Sequence, residues 1–223
     1  MTNTSPLGDT PVTAIFFDFD GVILDSVLLK EQVFRDMVAR EWPEHLEACM
    51  EYFLSHGGTS RIQKFRWIWT NILGREMDES AIDGLGREFS ERVYEQVVKC
   101  AYIPGADRFL DAFSDRVPSF VISGTPEPEL RGIVRDRGMA VFFRGVYGSP
   151  PTKVQIGERI LAEQGYSRDG VWFIGDATTD RDAARALGVR FVGISGPHLS
   201  PYVDGNEIMI DDLRQLAGVL GLA

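Results

Sequence analysis

"FFDFDGVILDS", residues 16–26, follows directly on Ala14 and Ile15, so an apolar run ends abruptly on two aspartates one residue apart. A glycine, more apolar residues and a third aspartate, Asp25, come next. The run is continuous rather than alternating, as in a parallel strand covered on both faces. In such a sheet ligands bind beyond the carboxyl ends of the strands, near the switch in strand order. Asp18 and Asp20 stand at that position, and at i and i+2 they share a face. Gly21 lets the chain turn sharply away from them. Taken alone, a D-x-D-G of this kind reads equally well as a solvated loop.

Three further runs have the same character: residues 119–122, 171–174 and 191–194. Helical periodicity fills 126–138, 154–164 and 180–187, and each segment closes on a glycine, Gly138, Gly165 or Gly188. Strand and helix in alternation predict an α/β fold, a doubly wound parallel sheet. The stretch from Ser26 to about Tyr102 breaks this rhythm. It holds no convincing strand. Leu46, Cys49, Met50, Phe53 and Leu54 fall on one helical face, and Ile62, Phe65, Ile68, Trp69, Ile72 and Leu73 on another. Asp78 can cap a third helix, which Gly84 and Gly86 weaken. The expected organisation is a loose tail over residues 1–11, an α/β core over 12–25 and 103–223, and an inserted all-helical domain over 26–102.

Composition narrows the function. With 23 basic and 33 acidic residues the formal charge is −10. A surface this acidic repels nucleic acid and anionic lipid, so neither is an expected partner. No apolar stretch approaches the roughly 20 residues of a membrane span. The N-terminus lacks the basic-then-apolar order of a signal peptide. The two cysteines, Cys49 and Cys100, read as reduced thiols inside helices of a cytoplasmic protein. An anionic substrate would need its positive charge supplied locally, and a divalent cation is one supplier.

The remaining strand ends bear on Asp18 and Asp20. The second run ends in Ser123-Gly124-Thr125, a hydroxyl followed by backbone N–H groups able to hold an anionic oxygen. The third ends in "GDATTD", bringing Asp176 and Asp180. Between them "GSPPTK" places Lys153 at the start of a helix. Each has a plain structural reading: turn residue, surface lysine, helix cap. The ordered set does not.

In this order the chain resembles the haloacid dehalogenase superfamily, in its phosphatase branch. "DFDGV" is similar to the first family motif, Ser123 to the second, Lys153 to the third, and Asp176 with Asp180 to the fourth. The helical insertion resembles the cap of beta-phosphoglucomutases and phosphoglycolate phosphatases. The resemblance implies that Asp18 attacks phosphorus to form an aspartyl-phosphate. It implies Mg2+ held by Asp18, the Asp20 backbone carbonyl and Asp176, with Asp180 orienting these groups from behind. Ser123, Gly124 and Lys153 would hold the remaining phosphate oxygens. Asp20 would be the general acid and then the base, which calls for a raised pKa. An acid at this position also favours phosphate esters, because the dehalogenases of the superfamily lack it.

The insertion must select the substrate. In "HGGTSRIQKF", Gly57 and Gly58 break one helix, and Thr59 or Ser60 caps the next. Arg61 and Lys64 lie three apart on its first turns, where cations oppose the helix dipole. The alternatives are a solvated basic face or substrate contacts, with His56 adjoining. "GGTSR" resembles the cap loop of beta-phosphoglucomutases, which implies that Arg61 faces the substrate. Of Trp67 and Trp69, one is free to stack on a sugar, though core packing is the simpler expectation. A histidine of the mutases, shortly after the first motif, is matched here by Lys30, which favours hydrolysis. The expected function is a Mg2+-dependent phosphatase for a small phosphate ester such as a sugar phosphate, as a monomer or weak homodimer. A phosphomutase and a non-catalytic phospho-acceptor module are the alternatives.

Overall fold

A computed structural model describes residues 10–203, 205 and 207–222. Most of the proposed tail therefore lies outside the described residues. The first strand, β1 (Ala14–Phe17), leads into four helices: α1 (Val27–Glu41), α2 (Leu46–Ser55), α3 (Arg61–Trp67) and α4 (Glu79–Lys99). The chain then returns through α5 (Ala106–Phe113) to β2 (Ser119–Pro126), α6 (Glu127–Asp136), β3 (Gly145–Ser149) and α7 (Lys153–Gln164). It ends in β4 (Val171–Gly175), α8 (Thr178–Leu187), β5 (Arg190–Ile194), β6 (Ile208–Ile210) and α9 (Leu216–Val219).

The six strands form one parallel sheet in the order β3-β2-β1-β4-β5-β6. β1 lies between β2 and β4, so the strand order reverses beside it and a crevice opens at its carboxyl end. Both faces of β1 are covered, which is why its apolar run is unbroken. Phe16 meets Phe120 and Phe173 edge-on at 5.8 and 6.2 Å, and Phe17 meets Phe109 on the other face at 6.0 Å. The four runs read from the sequence are strands. β3 and β6 were not anticipated: β3 carries two glycines and is half-buried over its first residues, and β6 has only three residues.

The helical insertion has its own aromatic packing. Phe34 stacks on Phe53 at 4.1 Å and lies 5.8 Å from Phe65, while Phe65 meets Phe89 edge-on at 6.4 Å. Asp78 caps α4 by accepting from the Ala81 N–H at 3.0 Å, and the helix runs on through Gly84 and Gly86. Trp67 stacks on Tyr52 at 3.8 Å and Trp69 packs edge-on against Trp42 at 6.2 Å. Cys49 is buried in α2, whereas Cys100 sits just past the end of α4; both are free thiols.

Candidate active site

β1 delivers Asp18 to the centre of the sheet, where its N–H donates to the Ile174 carbonyl of β4 at 2.9 Å. The chain then turns at Gly21, which has φ +79°, a conformation that strains any residue with a Cβ. A Cβ there would also overlap the Asp176 carboxylate. The glycine of the D-x-D-G motif thus lets two acidic loops approach.

Asp18, Asp176 and Asp180 form a cluster in which one oxygen of each lies within 4.8 Å of the others. Lys153, buried at the start of α7, donates to Asp18 Oδ1 at 2.9 Å and to Asp180 Oδ1 at 2.5 Å. Asp180 also accepts from the Ala177 N–H at 3.2 Å through its other oxygen. Burial raises the Asp18 carboxyl to about 7; Lys153 opposes this, while Asp180 and Asp20 add to it. Asp176 is pushed well above the usual carboxylate range by burial and by Asp18 and Asp180. Lys153 is held charged: burial disfavours its cation, but the two carboxylates outweigh that and raise its pKa. Three carboxylates against one ammonium leave a net negative, oxygen-only donor set, which suits a hard divalent cation.

Asp20 lives in a different setting. Its carboxylate accepts from Ser26 Oγ at 2.6 Å and Thr125 Oγ1 at 2.8 Å, and pairs with Lys30 Nζ at 2.6 Å. Burial pushes its pKa up, but the charge and hydrogen bond of Lys30, with Ser26 and Thr125, prevail and lower it. This corrects the expectation of a raised pKa: Lys30 of α1 pairs directly with the acid and outweighs the burial that was expected to raise it. Ser123 is buried at the end of the apolar part of β2, and its Oγ accepts from the Thr125 N–H at 3.1 Å.

The insertion closes over this group. Gly58 has φ +73°, and its carbonyl lies against Gly124 where a Cβ would be, so two glycines meet at the mouth of the site. Thr179 Oγ1 donates to the Gly57 carbonyl at 3.1 Å, and Ser60 Oγ, at the start of α3, reaches Ser149 Oγ at 3.3 Å. The cavity beneath has a volume of about 100 Å³ and is lined by Asp18, Asp20 and Ser123 from the sheet and Lys30, Arg61 and Lys64 from the helices.

Arg61 and Lys64 are buried, so they are not a solvated basic face. Arg61 reaches the cavity wall, but its guanidinium is bound to both oxygens of Glu129 in α6, at 2.8 and 2.7 Å, and to Ser90 Oγ at 2.9 Å. His56 does not belong to the site. It is exposed, its ring lies tilted against that of Tyr52 at 4.0 Å, and its Nδ1 lies 2.9 Å from the Tyr52 carbonyl, because the helix end turns its ring back along α2. The histidine at the cavity is His198, from the loop after β5, with Nε2 3.0 Å from Glu31 Oε1 and Nδ1 3.0 Å from the Leu54 carbonyl. Sequence reading missed His198, Glu31, Thr125 and Glu129, and only the position of Thr125 beside Ser123 gave any signal.

A family model described as haloacid dehalogenase-like hydrolase matches residues 15–194, from the first residues of β1 to the end of β5. The chain belongs to this family. It is thus an enzyme of a hydrolase family, and the passive phospho-acceptor reading is set aside. A phosphoglycolate phosphatase of Pectobacterium atrosepticum is 21% identical over 196 residues, covering 83% of this chain and 81% of that protein. Among solved structures, CbbY from Rhodobacter sphaeroides in complex with phosphate superposes with a TM-score of 0.73 at 17% identity, covering 95% of this chain and 100% of that one. YfnB from Bacillus subtilis, a putative HAD-hydrolase bound to magnesium, gives 0.68 at 15% identity, covering 95% and 99%. These two likenesses are of fold. Among the described residues no helix is long and apolar enough to cross a membrane.

Proposed function

We propose that the protein is a Mg2+-dependent phosphatase that hydrolyses a small phosphate monoester through an aspartyl-phosphate on Asp18. The observation that carries this reading is the division of two carboxylates, two residues apart, between opposite electrostatic settings. Asp18 stands with Lys153, Asp176 and Asp180, while Asp20 stands with Lys30, Ser26 and Thr125. Such a division is how one site assigns a nucleophile and a separate proton carrier.

Asp18, Asp176 and the Asp20 backbone carbonyl are the donors we assign to Mg2+. When bound, the ion supplies positive charge against the carboxylates and the phosphoryl oxygens. A carboxylate oxygen of Asp18 attacks phosphorus, the ester P–O bond breaks, and the leaving oxygen takes a proton from Asp20. Water then attacks the aspartyl-phosphate and gives its proton back to Asp20. Inorganic phosphate leaves and Asp18 is restored. The lowered pKa of Asp20 fits its second role, as base, and Lys30 on the same carboxylate holds it in place for both. Ser123 Oγ, the Gly124 N–H and Lys153 hold the non-bridging oxygens. The helical insertion acts as the lid that excludes bulk water.

The phosphoglycolate phosphatase relative, the phosphate-bound neighbour and the magnesium-bound neighbour support this reading. The test is Asp18→Asn, which keeps the shape and removes the nucleophile. Turnover of the preferred ester should fall by at least about a thousandfold with the fold unchanged by circular dichroism. Retention of a tenth of the wild-type rate, with contaminating phosphatase excluded, would overturn it.

A further inference from the structure

The lined cavity presents three lysine or arginine side chains and one histidine, and their partners differ. Lys30 is paired with Asp20 at 2.6 Å, Arg61 with Glu129 at 2.7 Å, and His198 with Glu31 at 3.0 Å. Lys64 has no carboxylate in salt-bridge contact among the described residues. Its ammonium is buried, at 5% exposure for the residue. It donates to the Phe53 carbonyl at 3.0 Å and lies 3.9 Å above the Phe53 ring. An ammonium has three donors, and one of them is used. Burying a cation on such terms is costly. Burial pulls the Lys64 pKa down to about 7; Glu31 opposes this, and Lys30 and Arg61 add to it.

The sheet side of the same cavity is lined by Ser123, Gly124 and Asp18, the groups the phosphatase reading assigns to the phosphate. Lys64 stands on the helical side, so the group it meets is the other end of the substrate. Arg61 cannot serve that end without breaking its two bonds to Glu129. The cavity volume of about 100 Å³ is well below that of drug-sized ligand sites.

We propose that Lys64 is a specificity-determining residue that binds a second anionic group, so that the substrate is a short phosphate ester with an anionic terminus. The inference rests on the phosphatase reading and names the substrate class within it. An incoming carboxylate or second phosphate supplies the counter-charge that the protein withholds from Lys64, and a charge-assisted hydrogen bond with it.

The experiment compares three esters of similar length in the Mg2+-loaded enzyme: 2-phosphoglycolate, 2-hydroxyethyl phosphate and phosphoethanolamine, with anionic, neutral and cationic ends. Wild-type kcat/KM should favour the first over the second by about tenfold or more, with the third poorest. In Lys64→Met the ratio of the first two should fall to near one. Lys64→Gln, whose amide can keep the bond to the Phe53 carbonyl, serves where the methionine variant folds poorly. Equal wild-type constants, or an undiminished ratio in the variant, overturn the assignment. Calorimetric binding of the same three compounds to Asp18→Asn needs no turnover and should give the same order. Its absence there overturns the inference even if the protein proves a phosphatase. Its presence without turnover in the wild type would sustain Lys64 while sinking the phosphatase reading.

Discussion

The ammonium of Lys30 lies 2.6 Å from Asp20 and donates to Thr125 Oγ1 at 3.0 Å, so the carboxylate we propose as the proton carrier is gripped by a cation from the insertion. If Lys30 sets the protonation and aim of Asp20, its loss should matter most when the leaving group needs a proton. Lys30→Met should lower kcat/KM for an alkyl phosphate by about 10- to 100-fold. For p-nitrophenyl phosphate, whose leaving oxygen departs unprotonated, the loss should be several times smaller. Equal losses on both esters would reduce Lys30 to a binding contact. Lys64 offers a second test at this scale, through stability. Its pKa in the folded protein is lowered from 10.5 to about 7, so between those values the unfolded chain holds a proton that the folded chain has released. Wild-type stability should therefore rise with pH across that window relative to Lys64→Met, and the gap between them should be constant below about pH 6. Denaturant midpoints at several pH values check it; parallel profiles would mean that Lys64 titrates normally.

The loop between α2 and α3, and α3 itself, join the insertion to the rest of the fold, and one of their links is the buried pair Arg61–Glu129, which ties α3 to α6 with both side chains 6% exposed. Breaking such a pair from one side leaves a buried charge alone, at a cost of about 3–5 kcal/mol. Glu129→Gln should lose stability of that order in chemical denaturation, and Arg61→Met/Glu129→Leu should recover most of it. A loss under about 1 kcal/mol in the single variant would show that solvent reaches the pair. This link also shows where sequence reading stops. β1, β2, β4 and β5 were legible because burial on both faces writes an unbroken apolar run, and the insertion was legible from its helical faces. β3, with two glycines among its five residues, and the three-residue β6 write no such pattern. Asp18, Asp20, Ser123, Lys153, Asp176 and Asp180 could be singled out as candidates because each stands near a strand end or a helix start. Their partners could not. Lys30 meets Thr125 across 95 residues, Arg61 meets Glu129 across 68, and His198 meets Glu31 across 167, separations that only the packed fold closes. His56 misled because adjacency to a glycine loop says nothing about which way a ring turns.

At the scale of the molecule, a chain with formal charge −10 concentrates part of that charge inside, where Asp18, Asp176 and Asp180 share one ammonium. Burial of ionised carboxylates, and after it their mutual repulsion, opposes folding, and the raised pKa values of Asp18 and Asp176 express that opposition. A cation that binds the folded cluster and not the unfolded chain stabilises by mass action, by about 2.7 kcal/mol at a hundred times its dissociation constant. Mg2+ should therefore raise the melting temperature of the wild type, and chelator should reverse the rise. Asp176→Asn separates this effect from general screening of an acidic surface. It removes one donor and one of the repelling charges, so without Mg2+ it should melt at or above the wild-type temperature. With Mg2+ it should gain much less. NaCl at matched ionic strength controls for screening, which acts on every exposed carboxylate and so should affect both proteins alike. An equal Mg2+-induced rise in both proteins would place the ion elsewhere on the acidic surface and remove the cluster's claim to it.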